Sequence, residues 1–577
     1  MDDSPFPSTG QQGTESAAEV LLRSLKANGI DHLLVNPGTD FAPLVEGIVH
    51  SQHKNASIPK TMVITHENCA VAMAHGYYMV TGKPQAVMVH TNVGTANTLN
   101  CLADACRENV PILLMAGRNP ITEQDVLGSR AGPIHWGQEM FDQAGMLREF
   151  VKWDYEMRLP MQADELVPRA LEVMMTAPRG SAYLTLPREA LGGMFPPTNR
   201  PAKPRVHPSQ PYPDPAVVKS LVGMIAKAER PMIITSAAGR TIAGSEALAR
   251  VAERFALPVV SFNARYVNLP TSHSMNMGGM PRPLLDEADL IIVLDCDAPW
   301  YPSQESPPAG CRVVHINDDP AFSRYPIRNF PSDLSIAAET AAALAAIEAG
   351  LAEAGVDKSP ATSARRGKLA ERWKAIRGAW KGMVEKAGAQ PTIKTEYLNH
   401  CLGQAVGPDA IIVNEYWVRP DLCGREKPGT YFGSSPAGGL GWGLGAALGA
   451  KLARPDALVV STVGDGAYMF ANPTACHWVG QAHNLPVLTV INNNAVYNAV
   501  RRATLGMYEK GVAQQKDDAM TLADLQPSPA FEKLIEASGG YGEKVERSAD
   551  LPGALERAVK EVRNGRQALL NVITAVW

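Results

Sequence analysis

The sequence predicts an α/β protein built from three doubly wound parallel-sheet domains. Three observations lead there. The chain has 577 residues, too many for one hydrophobic core. Short apolar runs rich in Val, Ile and Leu alternate with helical patterns in three separate blocks, as in parallel sheets covered by helices on both faces. A proline-rich stretch and a charged, helix-prone stretch divide the blocks.

Residues 1–16 are polar and open with two acids. They lack the basic start and apolar run of a secretory signal and are expected to form a flexible tail. The first domain, 17–190, offers strands at 32–38, 61–67, 85–91 and 111–117, with a helix of small residues over 68–80. Prolines crowd 191–215 and predict an extended linker. The second domain, 216–355, has strands at 231–237, 257–263, 290–296 and 311–317 and a helix at 248–255. Residues 356–391 predict a solvated connecting helix. The third domain, 392–577, has strands at 410–416, 458–464, 486–492 and 568–576.

Hydrophobic residues make up 45% of the chain and charged ones 19%, an ordinary globular balance. A net charge of −4 provides no basic field for nucleic acid or anionic lipid, so neither partner is expected. No apolar run approaches the ~18–20 residues that cross a bilayer. The eight cysteines are scattered without a CxxC pair, which argues against zinc and a disulfide framework and for a reducing cytoplasm.

Two loops of the third domain carry the chemistry. The strand at 458–464 runs into Gly464-Asp465-Gly466, and that at 486–492 into Asn492-Asn493-Asn494. Ligands of open parallel sheets gather at carboxyl ends of strands, so the two loops are expected to face one site. One carboxylate, one amide and a backbone carbonyl suit Mg²⁺, while the glycines and the helix after them suit a phosphate. Either motif alone would read as a polar turn. In the first domain, Glu67 ends an apolar strand and opens a helix, a place where an acid is also favoured simply by the helix dipole.

Gly464-Asp465-Gly466, a spacer of 26 residues and Asn493-Asn494-Ala495-Val496-Tyr497 resemble the signature of thiamine-diphosphate enzymes. The resemblance implies that Asp465, Asn494 and the backbone of Val496 hold Mg²⁺, with Asn493 the alternative in a shifted register. It implies that Gly464, Gly466 and Ala467 line the diphosphate, and that Trp417, Gly439 and Leu440 line the cofactor, Leu440 propping it from below. Glu67 would exchange a proton with the aminopyrimidine, so that the thiazolium carbon can lose its own and attack a carbonyl. The three domains become pyrimidine-binding, central and diphosphate-binding, and active sites are expected between subunits of a homodimer or homotetramer.

The chain looks closest to the acetolactate synthase and benzoylformate decarboxylase branch, through Asn36-Pro37-Gly38-Thr39, the block around Glu67, residues 90–97, 151–155 and 431–432. His90 matches the decarboxylase's active-site histidine and would pass protons to and from the substrate near neutral pH. Thr39 falls where that enzyme contacts substrate carboxylate. Two features pull the other way. Gln304 stands where a second pocket histidine would be, with no other imidazole expected nearby, and Gln138 in the block 135–139 matches the synthases. The resulting expectation is a thiamine-diphosphate- and Mg²⁺-dependent 2-oxo acid decarboxylase with carboligase capacity. An acetolactate-synthase-like transferase is the alternative, a 2-hydroxyacyl-CoA lyase ranks behind both, and FAD is not indicated.

Overall fold

The structure, a computed structural model, describes residues 14–196, 208–515 and 520–576. Residues 1–13 of the expected tail and 197–207 of the expected linker lie outside the described residues. Three parallel sheets follow one another along the chain. The first orders its strands Lys60–Val63, His32–Asn36, Ala86–Val89, Leu113–Arg118, Ala182–Pro187 and Trp153–Glu156. The third orders Tyr431–Gly433, Ile411–Asn414, Val459–Gly464, Leu488–Asn493, Ala568–Ile573 and Tyr541–Val545. Counted along the chain, both read 2-1-3-4-6-5, so the outer domains share one topology. The middle sheet, with Val259–Ser261, Pro231–Thr235, Leu290–Leu294, Arg312–Asn317 and Leu334–Ala337, reads 2-1-3-4-5.

In each sheet the strand order reverses between the first and third strands, which opens a crevice at their carboxyl ends. In the middle domain Asp295 follows the end of the third strand, at that crevice. Asp295 there is held by Asn317 and Thr340, and burial pushes its carboxyl up to about 6.

Sequence reading names four strands in each sheet, including the edge strands Lys60–Val63 and Val259–Ser261. It does not single out Trp153–Glu156, Ala182–Pro187, Leu334–Ala337, Tyr431–Gly433 or Tyr541–Val545. Four of these are edge strands, partnered on one side only and short or mixed in polarity, so their periodicity is weak. Glu15–Ser16, assigned to the tail, instead pairs antiparallel with Met194–Phe195 of the expected linker. Ser16 and Glu19 then form a reciprocal capping box that starts the helix Ala17–Ala27. The connecting helix Pro360–Gly388 is charged as expected, yet one face docks. Arg365 donates to the carbonyls of Phe255 and Ala256, and Arg377 to those of Thr271 and Asn276.

The first and third domains share a core. The helix Glu67–Thr81 lies against Trp442–Ala453, and apolar residues of both belong to one buried cluster. Small residues permit the approach: a Cβ on Gly76 would meet the Ala446 carbonyl oxygen at 1.9 Å, and one on Gly449 the Met73 carbonyl oxygen at 1.9 Å. Within this dry contact Trp442 donates its indole N–H to His75 Nδ1 at 3.1 Å, and burial holds His75 neutral with a pKa depressed to about 3.

A second tie runs through the helix Thr91–Arg107. Its Asp104 accepts the Gly439 N–H at 3.0 Å, while its other carboxylate oxygen is buried without a partner. Burial raises this carboxyl to about 8. No helix among the described residues is long and apolar enough to cross a membrane.

Three substitutions test these observations. Gly76→Ala should destabilise the protein by about 1–3 kcal/mol in denaturant titration, the usual cost of overpacking. Gly378→Ala, on the connecting helix where a Cβ meets nothing within 4 Å, should stabilise by about 0.5–1 kcal/mol. Asp104 keeps its proton in the folded state to about pH 8, whereas the unfolded chain loses it near 4, so its contribution fades as pH rises between those values. Asp104→Asn should therefore shrink the fall in melting temperature between pH 5 and 8.5 relative to wild type, read by calorimetric scans.

Candidate active site

The carboxyl ends of strands His32–Asn36 and Ala86–Val89 flank the switch point of the first sheet. After the first strand come Pro37, Gly38 and a single turn of 3₁₀ helix, Thr39–Phe41. After the other comes His90, the N-cap of helix Thr91–Arg107, followed by Thr91 at φ +37°, a strained value for a β-branched residue. His90 Nδ1 lies 2.5 Å from Asp40 Oδ1, across the switch point. Asp40 is 3% exposed and its second oxygen has no partner. Hydrogen bonding to Asp40 raises the His90 pKa, with a smaller contribution from Gln138 and the negative charge of Glu67 acting in the same direction. Thr39 is exposed at the head of the same turn.

Glu67 is the first residue of its helix, where free N–H groups favour an anion. His66 caps that helix by accepting the Asn68 N–H, so Glu67 is free of the capping role. Its Oε2 accepts from Asn97 Nδ2 at 3.1 Å, and Gly94 lies against Oε1. Thr39, Glu67, His90 and Gln138, far apart in sequence, therefore belong to one neighbourhood.

In the third sheet, Gly464 is in register with Asn492, which sets the two expected loops side by side. Asp465 opens the helix Asp465–Phe470; its Oδ1 accepts the Gly466 N–H at 2.9 Å, and its Oδ2 is buried with no partner. Burial raises this carboxyl, while backbone N–H groups of Gly466, Ala495 and Asn494 act to lower it. The neighbouring asparagines divide their work. Asn492 is tied to Thr395 and Thr574, and Asn493 to Ser528, Asn571 and the Ala495 N–H. Asn494 is less buried and its Oδ1 accepts only from Val496 N at 3.1 Å. Ala495 turns the chain at φ +54°, and the Tyr497 ring packs on Gly466, where a Cβ would clash at 2.6 Å.

Across this switch point, at the end of strand Ile411–Asn414, Glu415 accepts the N–H groups of Gly441 and Gly443 at 2.8 and 2.7 Å, and burial pushes it up to about 7. Trp417 is buried and donates to the Val463 carbonyl at 3.1 Å. Tyr416 between them sits at φ +84° with an exposed ring beside Gly438, a strained placement of the kind found at functional sites. The Gly-rich loop uses positive φ at Gly438 and Gly441, and the Leu440 carbonyl accepts from Asn100 at 2.8 Å. The helix Thr91–Arg107 thus touches Glu67 through Asn97, Leu440 through Asn100 and Gly439 through Asp104.

Sequence reading misses Asp40, Asp104, Glu415 and Tyr416. Asp40 has the best signal, an acid directly after Gly38-Thr39 in an otherwise apolar segment. One expectation needs revision, for an imidazole stands closer than expected. His135 is buried within electrostatic range of His90, its Nδ1 accepting the Ala131 N–H, whereas Gln304 is exposed.

Residues 15–146, 218–347 and 416–572 match, in order, the N-terminal, central and C-terminal domain models of thiamine pyrophosphate enzymes. The chain is 26% identical to an acetolactate synthase of Mycobacterium bovis, covering 94% of this chain and 86% of that protein. It is 24% identical to a benzoylformate decarboxylase of Pseudomonas aeruginosa, covering 83% and 85%. Its fold matches a benzoylformate decarboxylase of Polynucleobacter necessarius at a TM-score of 0.76, with 20% identity over 98% of this chain and 99% of that one. The chain belongs to the thiamine pyrophosphate enzyme family and is a thiamine-diphosphate-dependent enzyme of acetolactate synthase and benzoylformate decarboxylase type.

Proposed function

We propose that this enzyme is a Mg²⁺-dependent 2-oxo acid decarboxylase with carboligase capacity. The observation that carries the reading is the imidazole of His90, held at a strand end beside Glu67 by a buried carboxylate. A proton-passing group of that kind is what release of an aldehyde requires.

Asp465, Asn494 and the Val496 carbonyl are the metal ligands of this reading. The orphaned, buried Asp465 Oδ2 fits a cation, and Asn492 and Asn493 are engaged elsewhere. One carboxylate and neutral oxygens suit Mg²⁺, which would share its remaining positions with a diphosphate. Gly464, Gly466 and Ala467, at the start of a helix, offer backbone to the phosphates. Leu440, Gly439 and Trp417 support the rings.

Thiamine diphosphate, when bound, supplies a carbon nucleophile that adds to a carbonyl and accepts the electron pair released with carbon dioxide. The chain's residues handle the protons and the substrate. Glu67, steadied by Asn97, holds a proton at the pyrimidine N1′. Thr39 offers its hydroxyl to the substrate carboxylate, and Gln138 orients the substrate carbonyl from the opposite loop. His90 exchanges a proton with the substrate-derived oxygen or carbon. Exposed apolar side chains adjoin both halves of the site: Trp136 and Phe141 beside Gln138, and Phe470 and Trp478 after Asp465. A second copy covering them would give active sites between subunits of a homodimer or homotetramer. Eight free thiols accord with a cytoplasmic location.

A panel of 2-oxo acids with thiamine diphosphate and Mg²⁺ should yield carbon dioxide with aldehyde as the main product. Hydroxyketone as the dominant product from every substrate would favour the synthase-like reading. His90→Ala should slow turnover by roughly 10²–10⁴-fold, the usual share of general acid–base catalysis. Asp465→Ala should lose Mg²⁺-dependent binding of thiamine diphosphate in calorimetry, and an unchanged affinity would refute the metal assignment.

A further inference from the structure

The carboxylate that holds His90 carries more than the reading above draws from it. Asp40 is an almost wholly buried carboxylate, and the hydrogen bond it makes is to His90 Nδ1. Two glycines make room for the pair. A Cβ on Gly38 would meet His90 Nδ1 at 2.2 Å, and one on Gly117 would meet Asp40 Oδ2 at 1.7 Å. Gly117 keeps an ordinary negative φ and Gly38 an extended backbone, so neither is required by conformation. They are glycines for space, and the space holds a carboxylate against an imidazole.

We propose that Asp40 is the positioning residue of His90: it fixes the ring with Nδ1–H toward itself and the ring charged, so that Nε2–H faces the substrate as a proton donor and directs the product to aldehyde rather than hydroxyketone. The proposal rests on the decarboxylase reading above for its product half only. A buried carboxylate loses its hydration and is stabilised when its neighbour carries a positive charge. With Nδ1 committed, Nε2 is the one nitrogen left to exchange a proton. In the step it serves, the Nε2–H bond breaks and a C–H bond forms at the substrate-derived carbon. That bond uses the electron pair left by carbon dioxide, and solvent then returns a proton to Nε2.

The other groups acting on the ring agree with this polarity or are weak. Glu67, on the helix Glu67–Thr81, favours the charged ring, and Gln138 adds a neutral dipole. His135, on the short helix Ile134–Gly137, is itself held toward neutrality by burial and by Arg188 and Arg130. The net effect on His90 is a raised pKa, so the donor form persists to higher pH than in free histidine and is lost as pH rises through the raised value.

The test uses the full chain with isotope-labelled histidine, with and without thiamine diphosphate and Mg²⁺, the His90 signal being assigned by its loss in His90→Gln. In wild type the ring should titrate above the free value of about 6.5 and stay protonated at Nδ1. Asp40→Asn keeps the shape and removes the charge. His90 should then titrate at lower pH and show the other tautomer. The falling alkaline limb of the rate profile should move to lower pH with it, and the aldehyde-to-hydroxyketone ratio should drop while KM changes little. A wild-type ring that titrates below the free value would overturn the assignment without any variant. So would an unchanged titration in Asp40→Asn. A titration that moves while the product ratio stays fixed would overturn the product half. If no 2-oxo acid releases carbon dioxide with wild type, the decarboxylase reading fails, and the titration still decides whether Asp40 governs His90.

Discussion

Everything at this site depends on how closely the helix Glu67–Thr81 lies on Trp442–Ala453. Carbonyl oxygens of one helix occupy the space where side chains of the other would begin, at Gly76 against Ala446 and at Gly449 against Met73. Contact of that kind tolerates little sliding, because a packed interior has no free volume to absorb it. The first residue of one helix is Glu67, and the N-terminus of the other is fed by the Gly-rich loop that Glu415 holds. Fixing the two helices therefore fixes Glu67 relative to the loop.

The outer domains solve one problem twice with the same strand order. In each, the first and third strands part at the switch point, and their carboxyl ends hand the chain to a turn or helix start. Asp40 and His90 sit at those starts in one domain, and Tyr416 and Asp465 in the other. Backbone N–H groups at such starts lack intrahelical partners, which suits carboxylates and phosphates alike. The middle domain has the same opening, but its Asp295 is held by Asn317 and Thr340. The shared topology makes the position available, and the side chains decide its use.

The helix Thr91–Arg107 binds these parts into a unit. From one face it reaches Glu67, Leu440 and Gly439, and its own N-cap is His90. A single rigid element therefore supports His90, Asn97 beside Glu67, and the Gly-rich loop. Its strained Thr91 and the strained Tyr416 are two of the places where packing overrides local backbone preference.

The sequence alone determined what depends on local pattern. Runs such as 290–294 are continuously apolar and 458–464 nearly so because they are covered on both faces, so these strands, the three-sheet architecture and the Gly464-Asp465-Gly466 and Asn492–Asn494 loops could be read directly. The edge strand Tyr541–Val545 could not, since it mixes polar and apolar residues. Among the three adjacent asparagines, spacing left a choice, and only tertiary hydrogen bonds to Thr574, Ser528 and Asn571 distinguish the first two from Asn494. The pairing of Asp40 with His90 spans 50 positions and crosses a sheet reversal. No local period encodes it. It exists because two strands adjacent in space end at the same height and two glycines leave room between them, which is a property of packing rather than of pattern.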